Sequence, residues 1–146
     1  MFKTPSFETI QDKKREDRVA GFIEGLWQVS CHKLPVSYSI DYWIESASKW
    51  YWCEIKCRSF ASDKYDTFIL SANKLRKGAS FSQSTGHPFI IVYGMTDGIW
   101  MHEWMPKHQY DIRMNINATP NYDEDNEPYI HTVSYTHLTL PTNREV

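Results

Sequence analysis

Trp52-Cys53-Glu54-Ile55-Lys56-Cys57-Arg58 decides the reading of this chain. Its composition is that of a buried strand, yet it carries an acid and two bases at alternate positions. Side chains alternate between faces along a strand, so Glu54, Lys56 and Arg58 share one face and Cys53, Ile55 and Cys57 the other. Charges are costly to bury without partners, which makes an acid and bases within an apolar strand a candidate site. Thirteen residues before Glu54, Asp41 sits in a second strand-like run, Val36-Ser37-Tyr38-Ser39-Ile40-Asp41-Tyr42-Trp43-Ile44.

Working outward, residues 7 to about 30 read as a helix, because Val19, Ala20, Phe22, Ile23, Leu26 and Trp27 recur at three- and four-residue spacing. Thr4 or Ser6 can cap it, with Pro5 near its start. Glu16 falls on the apolar stripe of that helix, beside a basic cluster of Lys13, Lys14, Arg15 and Arg18. Strands are expected over 36–45 and 49–58, joined by the turn Ser46-Ala47-Ser48 into a hairpin. Residues 59–66 read as a loop, Thr67–Leu70 as a short third strand, and 72–84 as a helix capped by Ser71 and ended by Gly86-His87-Pro88. Phe89–Tyr93 is a strongly apolar strand, and Asp97-Gly98 turns the chain into a last strand over 99–104. Residues 105–128 read as irregular. The order implies an α/β fold, a mixed sheet flanked by helices.

The 146 residues suit one domain, and 41% hydrophobic content is enough for a packed core. Aromatic residues reach 15%, so some rings are expected at a binding surface. No apolar run approaches the roughly 20 residues of a membrane span, and the N-terminus lacks the apolar core of a signal peptide. Three cysteines give no disulfide framework, which favours a reducing, intracellular setting. The net charge of −2 is unevenly spread. Residues 120–146 hold five acids against Arg144, a local −4 that leaves +2 on residues 1–119. That weakly basic remainder permits a nucleic-acid partner without demanding one.

The end of the chain departs from this pattern. Val133-Ser134-Tyr135-Thr136-His137-Leu138-Thr139-Leu140-Pro141-Thr142 looks like a translated sequencing-library adapter read through in frame. On that reading residues 1–131 are one domain truncated at its C-terminus, and 132–146 are a scar on a gene assembled from environmental sequence. The other reading is a Thr- and Leu-rich terminal strand.

Asp41, Glu54 and the backbone carbonyl of Ile55 are the oxygen ligands that Mg²⁺ prefers, with Glu16 reaching from the first helix to complete the shell. Such an ion supplies Lewis acidity, an activated water and a template for phosphodiester hydrolysis. Lys56 points to the same side as Glu54. As a general base it would need a depressed pKa, which nearby carboxylates oppose, so a positioning and electrostatic role is favoured. Each residue also has a plainer reading: Glu54 and Lys56 as a cross-strand salt bridge, Asp41 and Glu16 as surface acids, Lys74 and the basic cluster as solvated charges. Arg58 either tracks phosphates or pairs with Asp63 or Asp66. A zinc site from Cys31, His32, Cys53, Cys57 and His102 lacks the usual tight spacing.

Ser39-Ile40-Asp41, a spacer, then Glu54-Ile55-Lys56 resembles the signature of the PD-(D/E)XK nuclease superfamily, the restriction-endonuclease-like group, and its small phage-associated members in particular. The resemblance covers roughly residues 8–104. It implies an αβββαβ core, metal binding at Asp41 and Glu54, a catalytic Lys56 and an acidic helper at Glu16. Lys74 matches a helical position that lies near the phosphate in relatives. Ile40 stands where the motif has proline, its least constant position. The expected activity is Mg²⁺-dependent cleavage of nucleic acid, DNA above all, with Mn²⁺ as a substitute ion. Lys14, Arg18, Arg58 and Lys74 are the expected nucleic-acid contacts. Many nucleases of this kind act as dimers, so a homodimer is one expectation, and the expected setting is the cytoplasm of a phage's host cell. The alternative is a nucleic-acid-binding or assembly protein that kept the fold and lost turnover.

Overall fold

A computed structural model describes residues 10–114, 128–132 and 136–138. Helix α1 (Ile10–Trp27) leads into β1 (Ser30–Lys33), a 3-10 turn (Val36–Tyr38), β2 (Tyr42–Glu45) and β3 (Trp50–Cys57). Then come β4 (Phe68–Ser71), α2 (Ala72–Thr85), β5 (Phe89–Met95) and β6 (Gly98–Glu103), followed by β7 (Asp111–Met114), β8 (Pro128–Thr132) and β9 (Thr136–Leu138). The main sheet runs β1-β2-β3-β5-β6-β9, and a small second sheet runs β4-β8-β7. Among the described residues every pairing is antiparallel except β3 with β5, where α2 provides the crossover that a parallel pair needs.

Central β5 explains the apolar run at its position. Ile90 and Val92 point toward α1, packing with Val19, Ile23, Ile44, Cys53 and Ile55. Phe89, Ile91 and Tyr93 point the other way, with Leu34, Ile40, Phe68 and Leu70. A strand covered on both faces loses the polar half of its alternation. Helix α2 lies so close to the sheet that a Cβ on Gly78 would stand 2.3 Å from Phe89 Cε2 and Cζ. Gly86 closes α2 with φ 78°, its N–H donating to Ser82 O at 2.8 Å, which is the left-handed cap that glycine allows. Ser71 stands at the N-cap position of α2, but its side chain forms no cap hydrogen bond.

The expected αβββαβ core is present as α1-β1-β2-β3-α2-β5, with a different first strand from the one read in the sequence. The expected strand over 36–45 is broken. Pro35 and Val36 enter the 3-10 turn, Ser39 takes φ 66°, and only Tyr42–Glu45 is strand. The chain instead forms β1 directly after α1, which ends at Trp27 with Gln28 at φ 57°. The run Thr67–Leu70 does yield β4, but in the second sheet rather than beside β3. Residues 105–128, read as irregular, contain β7 and the start of β8. The helix caps expected at Thr4 to Ser6 lie outside the described residues, as does most of 132–146. Thr136–Leu138, within that last stretch, pairs antiparallel with β6. No helix among the described residues is long and apolar enough to cross a membrane.

Candidate functional site

The β2–β3 ladder ends at Tyr42 opposite Cys53. Asp41, one residue before β2, would stand opposite Glu54 if the ladder continued, and opposed residues in an antiparallel pair share a face. Here the side chain of Asp41 takes over from the missing ladder. Its Oδ2 accepts the Ile55 N–H at 2.8 Å, while its backbone carbonyl accepts the Leu34 N–H at 2.8 Å. An amide that would otherwise lack a partner at the end of pairing thus fixes the carboxylate. The atom of Ile55 engaged with Asp41 is its amide N–H, beside the carbonyl expected as a ligand.

Glu54 is buried, at 1% exposure. Its Oε2 lies 3.4 Å from the Lys56 ammonium and 3.8 Å from that of Lys74, while Oε1 is buried with no hydrogen-bond partner among the described residues. Desolvation pushes its carboxyl from the ordinary 4.5 up to about 7. Lys56 opposes that rise, the negative charge of Asp41 adds to it, and Lys74 opposes it again. Lys74 also donates to Ser39 O at 2.8 Å, tying the first turn of α2 to the loop that carries Asp41.

Glu16 is buried on α1 and lies 3.3 Å from the Lys33 ammonium, which is also 3.6 Å from Asp41 Oδ1. Lys33 therefore links the two carboxylates from β1, and its Nζ stands 5.1 Å from the centroid of the Tyr42 ring. The Tyr42 hydroxyl donates to Asp17 at 3.2 Å.

The structure thus brings five sequence-read residues together: Glu54 with Lys56 and Lys74, and Asp41 with Glu16 through Lys33. Cys53, Ile55 and Cys57 pack toward α1, as the alternation implied. Arg58 lies just beyond the end of β3. It forms no ion pair with Asp63 or Asp66 among the described residues, and with Arg18 it lines a cleft against α1. Lys14 is exposed on α1 and lines neither the carboxylate group nor that cleft. The residues of the zinc reading are dispersed: His32 stacks on Trp43 at 4.2 Å and pairs with Glu45, and His102 meets the Tyr110 hydroxyl at 2.7 Å.

Two residues of the site are not evident in the sequence. Lys33 sits in a four-residue strand with no apolar alternation to reveal it. Tyr93 reads only as the end of an apolar strand. It pairs in register with Lys56, and its buried hydroxyl has no hydrogen-bond partner among the described residues. Burial raises the pKa of that hydroxyl, Arg58 opposes the rise, and Glu54 adds to it. The signal available in sequence was a hydroxyl closing an otherwise unbroken hydrophobic run.

Among the described residues, no three acids, histidines or cysteines are gathered as a ready-made metal cluster. The donor chemistry nevertheless fits a hard divalent cation. It offers carboxylate oxygens from three elements and one orphaned oxygen on Glu54, with lysine ammonium groups now balancing the negative charge.

No curated protein matches the chain. Among solved structures, the chain is similar to Hjc of Archaeoglobus fulgidus, a Holliday junction resolvase from an archaeal hyperthermophile. The match has 13% identity and a TM-score of 0.49, covering 62% of this chain and 72% of that one. The family model described as "Phage putative PDDEXK endonuclease" matches residues 2–135. With nearly its whole length matched, the chain belongs to this phage PDDEXK endonuclease family.

Proposed function

We propose that this protein is a Mg²⁺-dependent nuclease that hydrolyses phosphodiester bonds in DNA, with Mn²⁺ able to substitute. The observation that carries the reading is the Glu54 carboxylate, buried between two lysines with one oxygen unpaired and with Asp41 held beside it. Nothing in a purely structural ion pair calls for an orphaned buried oxygen.

Asp41, Glu54 and the Ile55 carbonyl would hold the ion, with Glu16 completing the shell. The bound ion would supply Lewis acidity and lower the pKa of a coordinated water. The protein's own groups do the rest. Asp41 is kept in place by the Ile55 amide on Oδ2, so its Oδ1, which lies 3.6 Å from the Lys33 ammonium, is preorganised. Lys56 is held against Glu54 by charge, and its ammonium is suited to stabilise negative charge developing on the phosphate. Lys74, anchored on Ser39 O, adds a second ammonium from the α2 side that would meet a phosphate oxygen. Burial of Glu54 sets a lower pH limit, because a protonated carboxyl is a poor cation ligand.

The test is incubation of the purified chain with supercoiled plasmid and with labelled single-stranded DNA, in Mg²⁺ or Mn²⁺, alongside calorimetric metal binding. Cleavage is expected for the wild type, with loss of cleavage and weakened metal binding in Glu54→Ala. A folded chain that cuts neither substrate, with metal binding unchanged by Glu54→Ala, would sink the proposal. DNA binding without metal would then support the non-catalytic alternative.

A further inference from the structure

Against α1, at the far end of β3, lies a cleft of about 560 Å³. That is the size range of pockets that hold one small organic group. Arg15 and Arg18 from α1 and Arg58 from just beyond β3 line it. None of the three forms an ion pair among the described residues, and no carboxylate lines the cleft. The remaining lining is largely apolar, with Val19, Phe22 and Ile99 prominent. Arg15 and Arg58 both bear on the Cys57 thiol within the cleft: burial raises its pKa to about 11, the charge of Glu16 adds to the rise, and the two guanidinium groups oppose it.

We infer that this cleft binds an unpaired nucleotide of a polynucleotide, with its phosphate on the arginines and its base against the apolar lining. Three observations converge. Unpaired guanidinium groups call for an anion, and arginine matches phosphate geometry. The apolar lining requires something other than a bare phosphate, and a base offers an apolar face only when unstacked from its neighbours, since a duplex hides it. The cleft also lies within electrostatic reach of the carboxylates on α1 and before β2, since the charges of Glu16 and Asp41 both raise the pKa of the Cys57 thiol in its lining. Arg58 is two residues past Lys56, roughly 7 Å along a strand, so the cleft opens on the α1 side of the sheet at the end of the strand that carries Lys56. Arg15 immediately precedes Glu16 on α1.

The inference rests on the nuclease reading only for the nature of the polymer. Its test runs in EDTA, where nothing is cut, so failure here is separable from failure of cleavage. The measurement is fluorescence anisotropy of a labelled single-stranded oligonucleotide and of the same sequence as a blunt duplex, over a series of salt concentrations. Tighter binding of the single strand is expected. Arg15→Gln with Arg58→Gln should weaken single-strand binding at least tenfold and flatten the log–log salt dependence by about 0.7 for each phosphate no longer neutralised. Phe22→Leu, which keeps apolar bulk without a ring, should weaken single-strand binding about fivefold or more and leave duplex binding unchanged. Ser59→Asp places a carboxylate at an exposed position of the lining, removes no core packing, and should also weaken single-strand binding severalfold. Equal affinity for strand and duplex overturns the inference. So does a salt slope that the arginine pair leaves unmoved, or single-strand binding indifferent to both Phe22→Leu and Ser59→Asp.

Discussion

Replacing Glu54 with Gln should stabilise the metal-free protein at alkaline pH. Glutamine has the shape of a protonated glutamic acid, so it removes the cost of ionising this side chain inside the fold while keeping its volume. The carboxyl rises from 4.5 to about 7, a difference worth about 3 kcal/mol at ~1.4 kcal/mol per pKa unit. The sign follows from proton binding. Between pH 4.5 and 7 the folded chain holds the Glu54 proton and the unfolded chain does not, so the contribution of Glu54 to stability falls as pH rises through that window. Above pH 7 the loss is complete; below 4.5 it is absent. Urea unfolding in EDTA, run on wild type and Glu54→Gln from about pH 5 to about pH 8.5, isolates the effect because the other titrating groups are common to both. The variant should be more stable by about 1–3 kcal/mol at about pH 8, with the gap nearly closed at about pH 5. A gap that does not depend on pH, or a wild type that gains on the variant as pH rises, would refute the assignment of Glu54 as a carboxylate strained by burial.

The other expectations follow from equally local features. Gly78→Ala should destabilise the fold by about 1–2 kcal/mol in denaturant titration, since its methyl would meet the Phe89 ring and overpacking outweighs the roughly 1 kcal/mol gain in helix propensity. Unchanged or increased stability would show that α2 moves freely from β5. Lys33→Met should raise Mg²⁺ or Mn²⁺ affinity severalfold in calorimetry, because the ammonium that now bridges Glu16 and Asp41 competes with the ion. A fall in affinity would instead make Lys33 a partner that organises the ligands. Lys56→Met should lower the cleavage rate at least about 100-fold while metal affinity is kept, the pattern of a group that acts on transition-state charge. An equal loss of affinity would place its role in holding Glu54.

Much of this architecture could be read from residues 52–58. Strict alternation assigned Cys53, Ile55 and Cys57 to the core against α1 and set Glu54 and Lys56 on the opposite face, where α2 lies. Position on an apolar helical stripe placed Glu16 near the same group, and the first turn of α2 carried Lys74 there. What escaped was governed by backbone geometry and tertiary pairing. Val36-Ser37-Tyr38-Ser39 alternates like a strand, yet Val36 is 88% exposed and Ser39 is left-handed, because this stretch closes the loop between β1 and β2. β1 reads as polar because an edge strand needs little apolar surface, and that concealed Lys33. The arginine-lined cleft joins residues some forty positions apart, which no local pattern links. Lys74 illustrates both sides: its position was legible, but the hold of Glu54 and Ser39 on its ammonium was not.

The most direct measurement of the central claim is the initial rate of DNA cleavage at about pH 8, above the Glu54 pKa, titrated with Mg²⁺ and with Mn²⁺, for wild type, Asp41→Asn and Glu54→Gln side by side. The wild type should show a saturable metal dependence, and both variants flat, background rates while staying folded by circular dichroism. Equal, metal-dependent cleavage by all three proteins would contradict the assignment of Asp41 and Glu54 to the reaction.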